Sequence, residues 1–252
     1  MMKEIKSHSN EYIKALKLLK RKKDRDAQGK YLIEGVKTIE EAVRYGARIE
    51  CILTSEPNSA VMGFAREHDL KIISVPHDII QQVSDTKSPP HDVACVFQEE
   101  NLPDYDGSFY VALDDVNDPK NLGTIIRTAD AAGADGVLIS STSADFYGPK
   151  AQRAAMGSTF HIPIEVGDLP VMLGKLRGYG IKIISGSLGG DFVLPQNIGK
   201  ACVVVGNEAR GISPEVKALS DVLYKIRIYG RAESLNASVA AGIMLYDVRK
   251  NL

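Results

Sequence analysis

The chain has 252 residues, of which 44% are hydrophobic and 25% are charged, and this length suits one large domain or two small ones. The composition excludes a disordered, collagen-like or membrane-embedded chain, because the longest apolar run, Ala237 to Leu245, is too short to cross a bilayer. Cys51, Cys95 and Cys202 form no CxxC pair, which argues against a disulfide framework and a zinc site. Without an apolar N-terminal signal, we expect a cytoplasmic protein that binds neither metal nor membrane.

Basic residues are concentrated at the N-terminus, although the whole chain carries a net charge of only −1. Residues 1–30 contain ten Lys or Arg and four Asp or Glu, a net charge of +6, which leaves −7 for the rest. The spacing predicts one amphipathic helix that ends in the run KRKKDR. It is either a solvated helix face or an arm that contacts nucleic-acid phosphates through Lys17, Arg21, Lys22, Lys23 and Arg25.

From Lys30 to about Val96, β-rich runs alternate with helical patterns. Strands are predicted in KYLI, IECIL, KIISV and VACVF, and helices near Thr38 to Tyr45, Ser59 to His68 and Pro76 to Val83. This rhythm predicts a small α/β domain over residues 1–100, counting the basic helix. Proline-containing runs then break the periodicity, so we place a linker near Gln98 to Gly107.

The same alternation returns over residues 107–252. Strands are predicted in FYVAL, GVLIS, IKIIS, ACVVVG and VLYKIRI, with helices that begin near Asn121, Pro170, Ser213 and Leu235. That order predicts a mostly parallel sheet covered by helices. Ligands of such sheets bind at the carboxyl ends of the strands, so the loops that follow the strands are the candidate site.

The loop after FYVALDDV leads into a helix that carries Asn121 and Arg127. Each has an ordinary explanation, since Asn121 can cap the helix and Arg127 can pair with Asp130. No GxGxxG follows the first strand of either domain, and neither GxxxxGK[ST] nor GxSxG occurs. A dinucleotide enzyme, a P-loop NTPase and a GxSxG hydrolase therefore lose their sequence support.

Two later loops carry further polar groups. In GNEARGIS, Gly206 allows a close approach of the backbone to a ligand, and Glu208 places a carboxylate at the end of a strand. In the segment before the last helix, Ser234 is predicted as the N-cap. The helix it begins is rich in small residues, which lets another backbone or a flat ligand come near. The glycine-rich loop SGSLGG is a weaker signal.

At these loops the sequence resembles the SpoU (TrmH-like) family of RNA ribose 2′-O-methyltransferases, members of the SPOUT class that uses S-adenosylmethionine. The family pattern NxGxxxRT is matched by Asn121 to Thr128, the strand-glycine-NExxG segment by Val203 to Gly211, and SLNxSVA by Ser234 to Ala240. The resemblance extends forward, because Gly29 to Gly46 is similar to the substrate-binding domain that precedes the catalytic domain in many members.

The resemblance implies a small N-terminal RNA-binding domain followed by a SPOUT domain with a C-terminal trefoil knot. It implies a homodimer in which Arg127 reaches the cofactor of the partner subunit, and a ribosomal RNA substrate contacted by the basic arm. The family pattern I-P-M-x-G differs from the residues at positions 226–230, where Arg227 replaces proline. The implied catalytic residues are Asn121, Arg127, Glu208, Ser234 and Asn236, and the implied cofactor-binding residues are Gly206, Ile226 and Leu235.

Three alternatives stay open from the sequence. The substrate could be transfer RNA, although the leading substrate-binding domain favours ribosomal RNA. A noncatalytic RNA-binding or ribosome-assembly protein is a second alternative, against which the intact set of five site residues argues. A nicotinamide-dependent oxidoreductase fits the alternation of strands and helices but lacks a phosphate-binding loop.

Overall fold

A computed structural model describes residues 3–56 and 60–252, which fall into two compact units. The first unit comprises Met1–Glu99 and Tyr147–Phe160, and the second comprises Glu100–Phe146 and His161–Leu252. The first boundary between the units, between Glu99 and Glu100, lies within the expected linker, Gln98 to Gly107. Tyr147–Phe160 departs from the expected division, because Tyr147 and Phe160 pack against the apolar core of the first unit.

The first unit contains a five-stranded sheet in the order β1-β4-β3-β5-β2. Strand β5 runs antiparallel to β2 and β3, whereas β1, β3 and β4 are parallel. The four strands and three helices predicted for Lys30 to Val96 are all present, although Ser59, the expected start of the second helix, lies outside the described residues. The elements are β1 Lys3–Glu4, α1 Glu11–Leu18, α2 Lys22–Gln28, β2 Lys30–Glu34, α3 Val36–Arg44, β3 Ile49–Thr54, α4 Ala60–Glu67, β4 Ile72–Ser74, α5 His77–Val83 and β5 Asp92–Phe97.

The prediction of one basic N-terminal helix is wrong. Lys3 lies in strand β1, and the remainder forms the two short helices α1 and α2. Arg25 is buried, with only 4% of its surface exposed, and its Nη1 donates to the carbonyl oxygens of Leu19 at 2.8 Å and Lys20 at 2.9 Å. Because those carbonyls follow the end of α1, Arg25 holds the turn between the helices. We therefore remove Arg25 from the predicted RNA-contacting residues.

The second unit contains a six-stranded, wholly parallel sheet in the order β11-β9-β10-β6-β7-β8. This confirms the predicted mostly parallel α/β class. The remaining elements are β6 Phe109–Asp114, α6 Pro119–Ala131, β7 Gly136–Ser140, α7 Pro149–Ala155, β8 Ile164–Gly167, α8 Leu169–Gly178, β9 Lys182–Asp191, β10 Ala201–Gly206, α9 Pro214–Leu219, β11 Val222–Tyr224 and α10 Ala237–Arg249.

Side chains on β6, β7, β9 and β10 form an apolar core with α8 and α9, which include the buried Leu173 and Val216. Elements β8 and α7 were not predicted, β11 ends at Tyr224 rather than at Ile228, and α10 begins two residues later than expected. The trefoil knot stays a prediction. In the described chain, every helix is too short or too polar to cross a bilayer.

Candidate active site

Three loops that the sequence separates widely meet at the carboxyl edge of the second sheet. The Nδ2 of Asn236 donates to Oδ1 of Asn121 at 3.0 Å, and the Nδ2 of Asn121 donates to Oε1 of Glu208 at 3.0 Å. Strands β6 and β10 end together, since Gly206 pairs with Asp114, and the loops therefore leave the sheet side by side. We call this hydrogen-bonded set the Asn236-Asn121-Glu208 chain.

Helix capping fixes the orientation of the amides. The N-cap of α6 is Asp118, which accepts from the backbone N–H groups of Lys120 and Asn121 and leaves the Asn121 side chain available. The N-cap of α10 is Asn236, not the expected Ser234, and its Oδ1 accepts from the N–H groups of Ser238 and Val239. Because that oxygen is occupied, the Nδ2 of Asn236 points to Asn121.

A cavity of about 390 Å³ opens beside this chain. Five of the predicted residues line it: Gly206, Glu208, Ile226, Ser234 and Leu235. Its volume lies in the range of about 300–1,000 Å³ that is typical of small-molecule and cofactor sites. Much of the lining is apolar, and the predicted glycine-rich loop SGSLGG contributes Leu188 to it. The sequence assigned no role to the lining residues Ile212 and Met244.

The segment Ile226–Leu235 brings polar backbone to this largely apolar cavity. Within the described chain, its N–H and C=O groups form no hydrogen bonds with other backbone groups. Most of the segment is exposed, so these groups are open to water or to a molecule bound in the cavity. The backbone contacts implied at Ile226 and Leu235 stay a prediction.

Gly206 is needed for a reason other than the one we expected. A Cβ atom at this position would lie 2.4 Å from the carbonyl carbon of Gly211 and 2.4 Å from the nitrogen of Ile212. The close approach is therefore between Gly206 and the chain's own backbone, which folds the Asn207–Gly211 turn against the strand. Gly206 also lines the cavity, so this tight turn shapes the wall.

Asp115 is a positioning residue that the sequence did not reveal. It has a positive φ of 58° and accepts from Asn207 Nδ2 at 3.1 Å and from the guanidinium of Arg210. Although burial opposes its ionisation, hydrogen bonds from Asn117 and Thr142 and the charge of Arg210 keep the pKa of Asp115 below its usual range. It therefore remains charged and holds the turn that carries Glu208.

Arg127 stands apart from the cavity. It is exposed on α6, does not line the cavity, and makes no hydrogen bond or ion pair with the residues that the structure describes. The suggested pair with Asp130 is absent, because Asp130 accepts instead from Nδ1 of His161 at 2.8 Å. The guanidinium is thus available to a group outside its own subunit.

The other predicted RNA-contacting residues lie on the surface of the first unit and are mostly engaged. Arg21 pairs with Asp24 at 2.6 Å, and Lys22 pairs with Asp26 at 2.8 Å. Lys17 donates to Gln82. Lys23 forms no ion pair with a described residue.

The possible metal ligands are scattered over residues 3–56 and 60–252. No group of three or more His, Cys, Asp or Glu side chains in that part of the chain is arranged to hold a metal ion. Cys51, Cys95 and Cys202 are buried free thiols.

Comparison with known proteins connects this geometry to a family. Residues 108–246 match the model of the SpoU rRNA Methylase family, and residues 10–94 match the MRM3-like substrate binding domain. The 23S rRNA (guanosine(2553)-2′-O)-methyltransferase RlmP of Bacillus subtilis is 35% identical over 98% of this chain and 100% of its own length. The 23S rRNA (uridine(2479)-2′-O)-methyltransferase of Streptomyces viridochromogenes is 29% identical over 91% of this chain and 86% of its own.

A solved structure shares the whole fold. The crystal structure of an AdoMet-bound rRNA methyltransferase from Sinorhizobium meliloti superposes with a TM-score of 0.88 and 32% identity, covering 100% of this chain and 98% of that one. The family match spans the segments that bring Asn121, Glu208 and Asn236 together. The chain belongs to the SpoU rRNA methylase family.

Proposed function

We propose that this protein transfers a methyl group from S-adenosylmethionine to a ribose 2′-hydroxyl of ribosomal RNA. The single observation that carries this function is the Asn236-Asn121-Glu208 chain at the edge of a cofactor-sized cavity. Relatives named as 23S rRNA 2′-O-methyltransferases support ribosomal RNA over transfer RNA.

The cavity fits S-adenosylmethionine in size and in the character of its lining. Leu188, Ile226 and Leu235 offer apolar surface, and Ile226–Leu235 offers unpaired backbone groups. When bound, S-adenosylmethionine supplies an electrophilic methyl group on a positively charged sulfur. The chain itself must hold that molecule, exclude water around it and align the ribose hydroxyl.

Arg127 is the group we assign to the ribose and its phosphate. A guanidinium is a poor general base because it stays protonated, but its planar fork can bind a phosphate and polarise the neighbouring hydroxyl. The hydroxyl proton then passes to the phosphate, or to the guanidine after that group has released its own proton to solvent. The Asn236-Asn121-Glu208 chain holds the first turns of α6 and α10 together, which positions the helix that carries Arg127.

A homodimer is part of the same proposal. Arg127 does not line the cavity of its own chain, so a second copy is needed to bring it to one. Helix α10 presents an apolar stripe at helical spacing, with Val239 52%, Ile243 38% and Tyr246 48% exposed. We assign this stripe to the subunit interface. A cytoplasmic location also belongs here, since the cysteines are free thiols.

Transfer of labelled methyl groups tests the function directly. The protein is incubated with methyl-labelled S-adenosylmethionine and either 23S ribosomal RNA or total transfer RNA, and the RNA is then hydrolysed in alkali. A methylated ribose lacks the hydroxyl that alkali uses to cleave the strand, so label is expected in resistant dinucleotides from ribosomal RNA. Label in bases alone, or in neither RNA, would overturn the proposal, and label in transfer RNA alone would change the substrate.

A further inference from the structure

A basic aromatic patch lies on the second unit where β9 and β11 end, and we define it by Phe192, Val193, Lys225, Arg227 and Tyr229. Its apolar members are unusually exposed: Phe192 by 45%, Val193 by 76% and Tyr229 by 91%. Exposed apolar side chains on this scale, grouped on one face, mark a binding surface rather than a folding requirement.

Two cations lie over the Phe192 ring. The Nζ of Lys225 is 5.2 Å from the ring centroid, and the Cζ of Arg227 is 4.8 Å from it. Both distances are within the range of cation–π attraction, which holds the ring and the cations as one unit. Neither Lys225 nor Arg227 forms an ion pair with a carboxylate in the described part of the chain, so the patch keeps its positive charge.

The patch adjoins the cavity. Lys225 contributes to the cavity lining, and its backbone N–H donates to the carbonyl of Asp191 at 2.7 Å, next to Phe192 in sequence. Leu188, on the same strand as Asp191, also lines the cavity and is 64% exposed. A molecule seated on the ring would therefore lie beside the mouth of the cavity.

We propose that the basic aromatic patch binds an unpaired RNA base beside the nucleotide to be methylated. The base takes the place of the two cations over the Phe192 ring, and Lys225 and Arg227 turn to the adjoining phosphates. Proteins recognise single-stranded RNA through this combination of exposed aromatic faces and cations. The inference rests on the proposed function and names a contact for its RNA substrate, centred on Phe192, which lies outside the family's sequence patterns.

The positive charge of the basic aromatic patch favours RNA over a second copy of this chain as its binding partner. A two-fold contact centred on the patch would place its unpaired cations against the same cations of the other subunit, which is unfavourable. The stripe on α10 has no charged member and suits a copy of the chain better. The polyanionic backbone of RNA is complementary to the patch instead.

The test measures how tightly the full-length protein binds a fluorescein-labelled oligoadenylate, followed by fluorescence anisotropy. The measurement does not depend on methyl transfer. Phe192→Ala is compared with Phe192→Tyr, which keeps the ring, and with Tyr179→Ala as a matched control. Tyr179 is 57% exposed and precedes the start of β9, at the opposite edge of the sheet from the cavity. Arg227→Gln is measured over a series of salt concentrations.

Phe192→Ala is expected to weaken RNA binding about 5- to 100-fold with an unchanged salt slope, because stacking releases no counterions. Phe192→Tyr and Tyr179→Ala should bind like the unaltered protein, and Arg227→Gln should flatten the salt slope by about 0.7. An unchanged affinity in Phe192→Ala overturns the proposal. So does a change of oligomeric state in that variant by light scattering, since a second copy would then cover the patch.

The methylation assay separates this outcome from the proposed function. If the unaltered protein methylates 23S ribosomal RNA and Phe192→Ala has the same KM for it, the patch is not a substrate contact and only this inference fails. If the unaltered protein binds oligoadenylate through Phe192 but methylates no RNA, the proposed function fails while the base-binding patch stands.

Discussion

The two cationic regions of this protein differ in what surrounds their charges. In the N-terminal helices, Arg21 and Lys22 pair with aspartates one helical turn away, and Arg25 is buried against backbone carbonyls. In the second unit, Arg127 and Arg227 have no carboxylate partner among the described residues. A count of charges along the sequence marks the first region, whereas the unpaired guanidinium groups make the second region our candidate for binding an anion.

The difference has an energetic basis. Exposed ion pairs contribute only about 0–1 kcal/mol each, so RNA phosphates can displace the aspartates of the N-terminal helices at little cost and little net gain. An unpaired guanidinium has no such competitor. We therefore expect the N-terminal helices to supply shallow, salt-dependent affinity and the second unit to supply alignment and chemistry.

The largest effect should come from Arg127. Arg127→Lys keeps the charge but loses the planar fork, so turnover should fall about 100-fold or more. Affinity for S-adenosylmethionine, measured by calorimetry, should change little, because lysine keeps the positive charge and other residues of each chain form the cavity lining. Near-normal turnover would show that the fork is not required and would remove the contrast between the regions.

The tight turn at Gly206 should have the next largest effect, this time on the cofactor. In Gly206→Ala the new methyl group must push away the backbone of Gly211, so affinity for S-adenosylmethionine should fall about tenfold or more. Gly178→Ala is the matched control, since a Cβ there meets nothing within 4 Å. Equal calorimetric affinity in the two variants would contradict the assigned role of the turn.

Dimer formation should depend on the stripe of α10. Ile243→Asp places a charge in the middle of the stripe, and the protein should become monomeric by light scattering and lose most of its activity. Val171→Asp is the control, because Val171 is 57% exposed on α8, away from the stripe. A dimeric, active Ile243→Asp protein would place the interface elsewhere.

The smallest effect belongs to the N-terminal helices. Replacing Lys17, Arg21, Lys22 and Lys23 by Gln should weaken RNA binding severalfold and flatten the salt slope by about 0.7 for each phosphate that the variant no longer neutralises. Methyl transfer at saturating RNA should be unchanged. A loss of turnover at saturation would mean that the first region also aligns the substrate, and the division between the two regions would fail.

Local sequence patterns predicted most of the helices and strands. Where these predictions failed, contacts with other parts of the chain determine the structure. The sequence pattern predicts Arg25 on the surface, but its side chain is buried and donates to the carbonyl groups at the end of α1. Ser234 and Asn236 are both good N-caps, and the observed cap is Asn236, whose side chain also donates to Asn121 in a distant part of the sequence. Helix α7 lies within the second domain of the sequence but packs with the first unit, and no local signal shows this.

The candidate site also has residues that local patterns predicted and residues that only tertiary contacts reveal. Motif spacing singled out Asn121, Glu208 and Asn236, and the structure brings these three into one hydrogen-bonded chain. Asp115 escaped notice because its role depends on Asn207 and Arg210, which lie about ninety residues further along the chain. Ile212 and Met244 also line the cavity, and no sequence pattern assigned them that role.

Mixing two impaired variants tests most directly whether Arg127 serves the cavity of a second copy. S-adenosylmethionine is held at a concentration that fills the unaltered cavity but not the cavity of Gly206→Ala. Arg127→Lys has an intact cavity and Gly206→Ala has an intact arginine, and each is assayed alone and after joint unfolding and refolding. If the arginine acts across the subunit interface, mixed dimers contain one complete site, and the mixture should regain about a quarter of the unaltered activity. A mixture no more active than its two parents would contradict an arginine supplied by the neighbouring subunit.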